Sequence, residues 1–575
     1  MLQGLQKGNL PELKPFSLPR VFADLQCPAR LKHYSLILLV AILTALPSNH
    51  LLPLLDRDEP RFIQATREMA ARGEWLVPYF NGTYRFDKPI MSYWLMRGAL
   101  NLLGDNEFAA RFCSVLSSFL VALLIYEFTR KHISTRASWL ASCGWLTCFQ
   151  VLLHGKLALA DMPMVLAVTF CQIALYKLLV EDTKQAKFWR AGLYIGLAFG
   201  FLSKGPIALF CPLLSLALFR FVFWRQRLDW QKLKPIQGMM WFLFLVSCWA
   251  IPAFIKTDGL FWQIGLQDHV LQRGIKPFNG RLFKPFYYLP TAFLSLFPWI
   301  AFAGSAWLYL RNNWNPTTAY LSAWALAPYI LFSFYATQLP HYVLPAFPAL
   351  LIILACGIDN DLALNHQKSW FFWIVSALAA SLLWIAFSLA QNEPYTDKTL
   401  PIKTAVYALI SIFLGLLLAA LFVKNKFLNG AWLAILIISS SFVCLGKSLR
   451  AMSIAVQLEQ VFQTLPPEAE HIYNGFEEPS LVYYSNAHWG NAHITAKAIA
   501  KPGARLYLLL TKEIWLEDYL ASQFPRLIKS RKRQETRLPS SVYTALLING
   551  YRYKPIHGLN LARISWVETE VWFRP

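Results

Sequence analysis

The chain has 575 residues, of which 56% are hydrophobic and only 15% charged, with 22 Trp and 42 Phe. That apolar content exceeds the roughly 45–50% of ordinary globular domains and excludes a soluble protein over most of the length. The formal net charge of +22 invites a nucleic-acid reading. The basic residues, however, sit mostly in short connections between apolar runs, so they read as topology signals and exclude nucleic acid as a partner.

Residues 1–34 are polar and Pro-rich with no apolar core near Met1, and read as a cytoplasmic extension rather than a cleaved signal peptide. Apolar runs then recur near 35–55, 108–128, 137–153, 162–180, 190–203, 205–223, 237–255, 288–309, 317–336, 342–358, 369–390, 402–423 and 428–446. Each is long enough to cross about 30 Å of hydrocarbon, giving about thirteen crossings. With the first running outward, the inside loops collect Arg130, Lys131 and Arg136, then Lys184, Lys187 and Arg190, then Arg225, Arg227, Lys232 and Lys234, and finally Lys368, Lys424 and Lys426. That is the positive-inside pattern.

The expected architecture is therefore an all-α polytopic membrane domain over 35–447, with interfacial helices in outward loops 56–107 and 256–287, followed by an exported unit at 448–575. Strands are expected in that tail at Ala504–Thr511, Val542–Ile548 and Ile564–Trp572, making it a small α/β domain. The run Arg526–Arg537 reads as a solvated basic face. All nine cysteines lie at or before Cys444, and no Cys/His spacing calls for a metal or for a disulfide in the tail.

The polar residues of the outward side hold the chemistry. Loop 56–107 opens with Asp56-Arg57-Asp58-Glu59-Pro60-Arg61, where Pro60 suits the first turn of a helix and the acids suit its N-terminal dipole. Asp58 and Arg61 are three apart, so a helix puts a carboxylate beside a cation able to grip phosphate; the simpler alternative is a cap and ion pair. Asn81-Gly82-Thr83 reads as a tight turn, followed by Arg85-Phe86-Asp87-Lys88-Pro89, where Pro89 keeps Lys88 out of helical conformation. Asp161 stands alone among apolar residues at the head of a span, as a cap or as a functional carboxylate. Lys204, in Lys204-Gly205-Pro206, is a cation on the outer side against the charge rule, which points to a phosphate partner. Asp268, His269 and Arg273 precede a long loop, and Gln338-Leu339-Pro340-His341-Tyr342 sits at a span head where Tyr342 also suits an interfacial anchor.

Taken in order, Asp58-Glu59-Pro60-Arg61-Phe62, Phe86-Asp87-Lys88-Pro89, Ala160-Asp161-Met162-Pro163, Ser203-Lys204-Gly205-Pro206 and Leu339-Pro340-His341-Tyr342-Val343-Leu344-Pro345 resemble the bacterial branch of the protein-mannosyltransferase superfamily, of GT-C fold. Within it the resemblance is greatest to the aminoarabinose transferases of lipid A. The resemblance implies an inverting transfer of a sugar, 4-amino-4-deoxy-L-arabinose in those enzymes, from undecaprenyl phosphate to a lipid A phosphate at the periplasmic face of the bacterial inner membrane. It implies Asp58 and Asp161 as catalytic carboxylates, and Arg61, Lys88, Tyr342 and Lys204 around the carrier phosphate. Asp87, Glu59, His341 and His269 would orient these groups or touch substrate. Gln338 stands near a position where the family often has Lys, and Asp87 where Glu is frequent.

Two alternatives stay open. Another sugar, or a protein or glycan acceptor, would use the same site, and a hydroxyl acceptor would require Asp58 as base. A lipid flippase would also hold charges near lipid phosphate, but it should show polar residues at mid-span or repeated halves, whereas here the charges collect in loops. No spacing demands a metal ion; Asp268, His269, Asp87 and Glu59 are the side chains that would supply ligands to one.

Overall fold

The computed structural model describes residues 28–575 apart from 48, 56, 182, 225–228, 273–274, 276–285, 365–405, 416, 419–427, 464–469, 492–493, 496–498, 500–504, 516–537, 562, 564 and 575. The expected spans 369–390 and most of 402–423, the run Arg526–Arg537 and most of the N-terminal extension therefore lie outside the described residues.

Helix α1 (Pro28–Ala45) leads into α2 (Glu59–Ala71), a short hairpin of β1 (Tyr79–Phe80) and β2 (Thr83–Tyr84), and α3 (Met91–Leu103). Then come α4 (Glu107–His132), α5 (Thr135–Thr147), α6 (Phe149–His154), α7 (Asp161–Leu179), α8 (Ala186–Lys204), α9 (Ile207–Leu218), α10 (Pro235–Lys256), α11 (Tyr288–Ser295), α12 (Ala303–Asn312) and α13 (Pro316–Ser333). A 3-10 turn (Pro340–Ala346) precedes α14 (Phe347–Leu364), and α15 (Leu428–Met452) ends the membrane portion.

Among the described residues, five helices are long and apolar enough to cross a membrane: Glu107–His132, Asp161–Leu179, Trp230–Lys256, Pro340–Ala363 and Ile435–Met452. A sixth counts if Tyr288–Ser295 and Trp299–Asn312, bent by 107° at their junction, form one broken span. Of the thirteen crossings expected, the two at 369–390 and 402–423 lie wholly or mostly outside the described residues. Several of the other apolar runs form helices that are shorter, interrupted or charged: the run at 137–153 breaks at Cys148, which is extended, and α8 holds Lys187, Arg190 and Lys204.

A buried ion pair fixes the start of α2. Glu59 and Arg111 of α4 are 1% and 0% exposed. Arg111 donates from Nε and Nη2 to the two carboxylate oxygens at 2.9 Å each. Its remaining N–H groups donate to the carbonyls of Asn49, Leu52 and Pro53, and Glu59 also accepts from the amides of Leu55 and Ala158. A buried charge pair is tolerable when every lone pair and proton is satisfied in this way.

A glycine seam sets the geometry of α7 against α8. Gly192, Gly196 and Gly200 recur every four residues on α8. A Cβ at Gly192 would meet the Phe170 ring at 2.8 Å, one at Gly196 the Cys171 sulfur at 2.8 Å, and one at Gly200 would meet Ala208 at 2.7 Å and Ala167 at 3.1 Å. Small residues let helix backbones approach closely where apolar burial alone gives no preference. The seam brings Lys204, at the end of α8, beside Asp161, at the start of α7.

The tail folds as α16 (Ile454–Phe462), β3 (Glu470–Asn474), α17 (Pro479–Ser485), β4 (Trp489–Asn491), β5 (Arg505–Trp515), α18 (Ser540–Ile548), β6 (Arg552–Asn560) and β7 (Ser565–Phe573). The sheet order is β4-β3-β5-β7-β6, with β3 parallel to β4 and β5, and β7 antiparallel to β5 and β6. The expected strand at Val542–Ile548 is instead a helix: its buried residues are Val542 and Leu546, four apart, which is helical spacing. The unexpected strand β6 is an edge whose Lys554 and Pro555 masked it in the sequence.

This domain grips the hairpin of loop 56–107. Asn81 and Gly82 have φ of 53° and 78°, the left-handed pair that a two-residue hairpin turn requires. The Asn81 side chain donates to the Trp489 carbonyl and accepts from the Trp489 amide, both at 2.8 Å. The Glu68 carboxylate accepts from the amides of Asn81 and Gly82.

Two measurements follow from the packing. Arg111→Ala is expected to cost about 3–5 kcal/mol by stranding Glu59, while Arg111→Met with Glu59→Leu recovers most of the loss; unfolding in mixed micelles reads both. Lys156 lies between α6 and α7 and donates to the Ala45 and Pro47 carbonyls at 2.9 Å each. Burial, then repulsion from Arg111, pulls its ammonium down to about 7. The unfolded chain thus binds more protons between about pH 7 and 10.5, so this group makes stability rise with pH across that window and penalises the fold fully below it. The difference between wild-type and Lys156→Met unfolding curves should therefore change sharply over that range and stay flat below it.

Candidate active site

The first part of the site is the start of α2. Pro60 occupies its first turn, and Asp58 stands at the N-cap with no side-chain capping bond and with its side chain exposed. Arg61, one turn along, is half-buried. Burial and the neighbouring Arg85 guanidinium press its pKa below the ordinary value, while Asp58, Asp87 and Glu478 oppose that shift. Arg61 thus stands among three carboxylates and a second cation contributed by three separate segments.

The segment after the hairpin forms a charge ladder. Arg85 donates to the Asp87 carboxylate at 2.9 Å and to the Tyr93 hydroxyl at 3.0 Å, with its guanidinium 5.5 Å from the Phe62 ring centre. Burial works against its charge, but Tyr93 and Asp87 outweigh that and hold its pKa above the usual value. Lys88 reaches the other Asp87 oxygen at 3.3 Å. Asp87 therefore sits between two cations and fixes both.

The second part of the site is the head of α7. Asp161 is buried and ion-paired to Lys204. His341 Nε2 lies 4.0 Å from the same carboxylate, and the His154 ring stacks on His341 at 4.8 Å. Lys204 Nζ is 5.5 Å from the Tyr342 ring centre, in cation–π range. Tyr342 in turn packs on Phe332 at 4.9 Å. The two parts adjoin: Ser92 of α3 donates to the Ser203 carbonyl at 3.3 Å, and Lys88 lies within electrostatic reach of His341.

The sequence-derived candidates thus divide. Asp58, Arg61, Asp87 and Lys88 gather at α2 and the segment after the hairpin; Asp161, Lys204, His341 and Tyr342 gather at the head of α7. Glu59, expected to orient or touch substrate, instead points into the protein, where both oxygens are taken by Arg111, Leu55 and Ala158. The side chain of His269 lies outside the described residues. Among the described residues, no three His, Cys, Asp or Glu side chains gather in a way that holds a metal ion.

The sequence reading passed over two groups. Arg85 lay inside a quoted motif without a role. Glu478 comes from the C-terminal domain, fully buried, ion-paired to Arg563 and accepting from Asn560 at 3.0 Å, with Arg57 at 4.0 Å. Its one sequence signal was local: Glu478-Pro479 opens α17 as Glu59-Pro60 opens α2. Chemically, the arrangement is a cluster of fixed cations interleaved with carboxylates beside an exposed aspartate, suited to binding a phosphate ester and stabilising charge that develops on it.

Comparison with known proteins bears on this arrangement. The family model for dolichyl-phosphate-mannose-protein mannosyltransferase matches residues 87–251. The undecaprenyl phosphate-α-4-amino-4-deoxy-L-arabinose arabinosyl transferase of Aeromonas hydrophila is 31% identical over 375 residues, 62% of this chain and 67% of that protein. The enzyme of the same name from Edwardsiella ictaluri is 33% identical over 312 residues, 52% of this chain and 54% of that protein. The chain thus spans between about half and three quarters of the relatives it matches. The crystal structure of ArnT from Cupriavidus metallidurans bound to undecaprenyl phosphate superposes with a TM-score of 0.71 at 19% identity, over 89% of this chain and 97% of that one, which establishes the shared fold.

Proposed function

The chain belongs to the family of undecaprenyl phosphate-aminoarabinose arabinosyl transferases, and on that premise we propose that it moves 4-amino-4-deoxy-L-arabinose from undecaprenyl phosphate to a phosphate of lipid A. It is a multi-pass membrane glycosyltransferase. The proposal includes its orientation, with the site and the C-terminal domain on the periplasmic side of the inner membrane, supported by the basic residues concentrated in the opposite loops.

The observation that carries this reading is the convergence of Arg61, Arg85 and Lys88 with Asp58 at the start of α2. In the proposed reaction an acceptor phosphate oxygen forms a bond to C1 of the sugar as the bond from C1 to the carrier oxygen breaks. The electron pair leaves with undecaprenyl phosphate, and the anomeric centre inverts. Charge grows on the leaving phosphate, so cations fixed beside it stabilise the transition state more than the bound donor. An acceptor phosphate is already ionised, and attack requires no proton removal. Asp58 then orients the acceptor and offsets positive charge developing at C1. Asp161 keeps Lys204 and His341 in place beside Tyr342, on the opposite side of the site. His269 is proposed to contribute from loop 256–287.

The test is lipid A mass spectrometry in cells lacking the gene and complemented with wild type or Asp58→Ala. A mass addition of one aminoarabinose is expected with wild type alone; identical lipid A in all three strains would overturn the acceptor assignment. In purified enzyme, Lys88→Met is expected to lower kcat/KM on the order of a hundredfold, as for loss of one fixed charge-stabilising donor.

A further inference from the structure

Along α2, beyond the turn that holds Arg61, lies a cavity of about 430 Å³, within the size range of small-ligand sites. Gln64 and Arg67 of α2, Arg97 and Asn101 of α3, and Asn486 and His488 of the loop between α17 and β4 line it. Two buried polar atoms here, Gln64 Oε1 and Arg97 Nε, have no hydrogen-bond partner among the described residues. Around these atoms, Gln64 and Arg97 bring an amide and a guanidinium to the cavity wall.

The charges give that ligand a sign. The carboxylates of the cavity are already engaged: Glu68 by Gln64 and the Asn81 and Gly82 amides, and Asp105 by Arg67 at 2.8 Å. Arg97 has no carboxylate partner among the described residues. Its guanidinium donates to the Glu74 carbonyl at 2.7 Å, with its central carbon 3.6 Å from the Trp75 ring centre. A guanidinium held over an indole, with no carboxylate opposite it among the described residues, suits a phosphate.

The surroundings say where the phosphate comes from. Trp75 is 52% exposed and Leu102, next to the cavity-lining Asn101, is 85% exposed. An exposed Trp and Leu beside charged residues place this edge at a bilayer surface, where lipid headgroups lie. Arg67 is six residues along α2 from Arg61, about 9 Å of helix rise, so the cavity and the transfer site lie along one helix.

We propose that the cavity between α2, α3 and the C-terminal domain is a second headgroup site, taking one phosphate of the glycolipid acceptor while the other is presented at Asp58. This rests on the reading of the acceptor given above. Native mass spectrometry of the full chain in detergent tests it with diphosphoryl lipid A, monophosphoryl lipid A, undecaprenyl phosphate and inorganic phosphate. Arg97→Gln removes the cation, and Ala71→Trp fills the cavity while leaving Arg97 in place. Both are expected to weaken diphosphoryl lipid A about tenfold, the scale of one charge-assisted bond. Monophosphoryl lipid A should be weaker on wild type and insensitive to either change, and retained undecaprenyl phosphate binding shows that the variants fold. The proposal is overturned if both variants bind diphosphoryl lipid A like wild type, or if inorganic phosphate displaces the glycolipid at equal concentration. Because binding is read without turnover, an enzyme that binds lipid A at the cavity yet transfers nothing to it would sink the transfer reading and leave the site standing.

Discussion

The rest of the molecule depends on the pairing of Glu59 with Arg111. One carboxylate is bound by a helix of the membrane domain, by the segment entering α2 and by the Ala158 amide, and Ala158 lies three residues before Asp161. A single buried ion pair thus sets the distance between the two ends of the site that hold Asp58 and Asp161. Charge pairs of this kind contribute little net stability, but they penalise every arrangement in which a partner is missing. That makes Glu59–Arg111 a device for specifying geometry. It also explains how adjacent acids take opposite parts: Asp58 faces out, Glu59 faces in, and the first is aimed because the second is anchored.

The same logic recurs around the site. Asp87 is gripped by Arg85 and Lys88, Asp161 by Lys204, and Glu478 by Arg563. Fixed opposite charges avoid the reorganisation that mobile groups would need when charge moves during transfer. Placement of Lys204 is decided far from the chemistry by the glycines of α8, which let that helix lie against α7. The placement of a site cation and the close packing of membrane helices are therefore one problem in this protein.

Much of this was legible in the sequence, for physical reasons that also explain the gaps. Charges at a membrane surface are costly unless used, so Asp58, Arg61, Lys88, Asp161 and Lys204 stood out against an apolar background. Glu59 stood out equally, yet it is an internal brace, because Arg111 lies 52 residues away inside an apolar span with nothing local to reveal the pairing. Glu478 was invisible for the same reason on a larger scale. Apolar length signals burial of either kind, in lipid or among other helices, so the run at 137–153 reads as one span although it is interrupted at Cys148. In the tail, Val542–Ile548 had the composition of a strand and the spacing of a helix, and spacing won. Strand β6 escaped because an edge strand tolerates Pro and Lys that an interior one would not.

The clasp between Asn81 and Trp489 joins residues 408 positions apart. A chain made and inserted from its N-terminus produces Asn81 early and Trp489 near the end, after every intervening helix has been threaded. Through most of its biogenesis the hairpin beside Arg85 and Lys88 thus lacks the partner that holds it, and Arg61 lacks Glu478. Chains that stop short of the C-terminal domain would carry the hairpin and Arg61 without these partners, so the arrangement around them is complete only when that domain has been made.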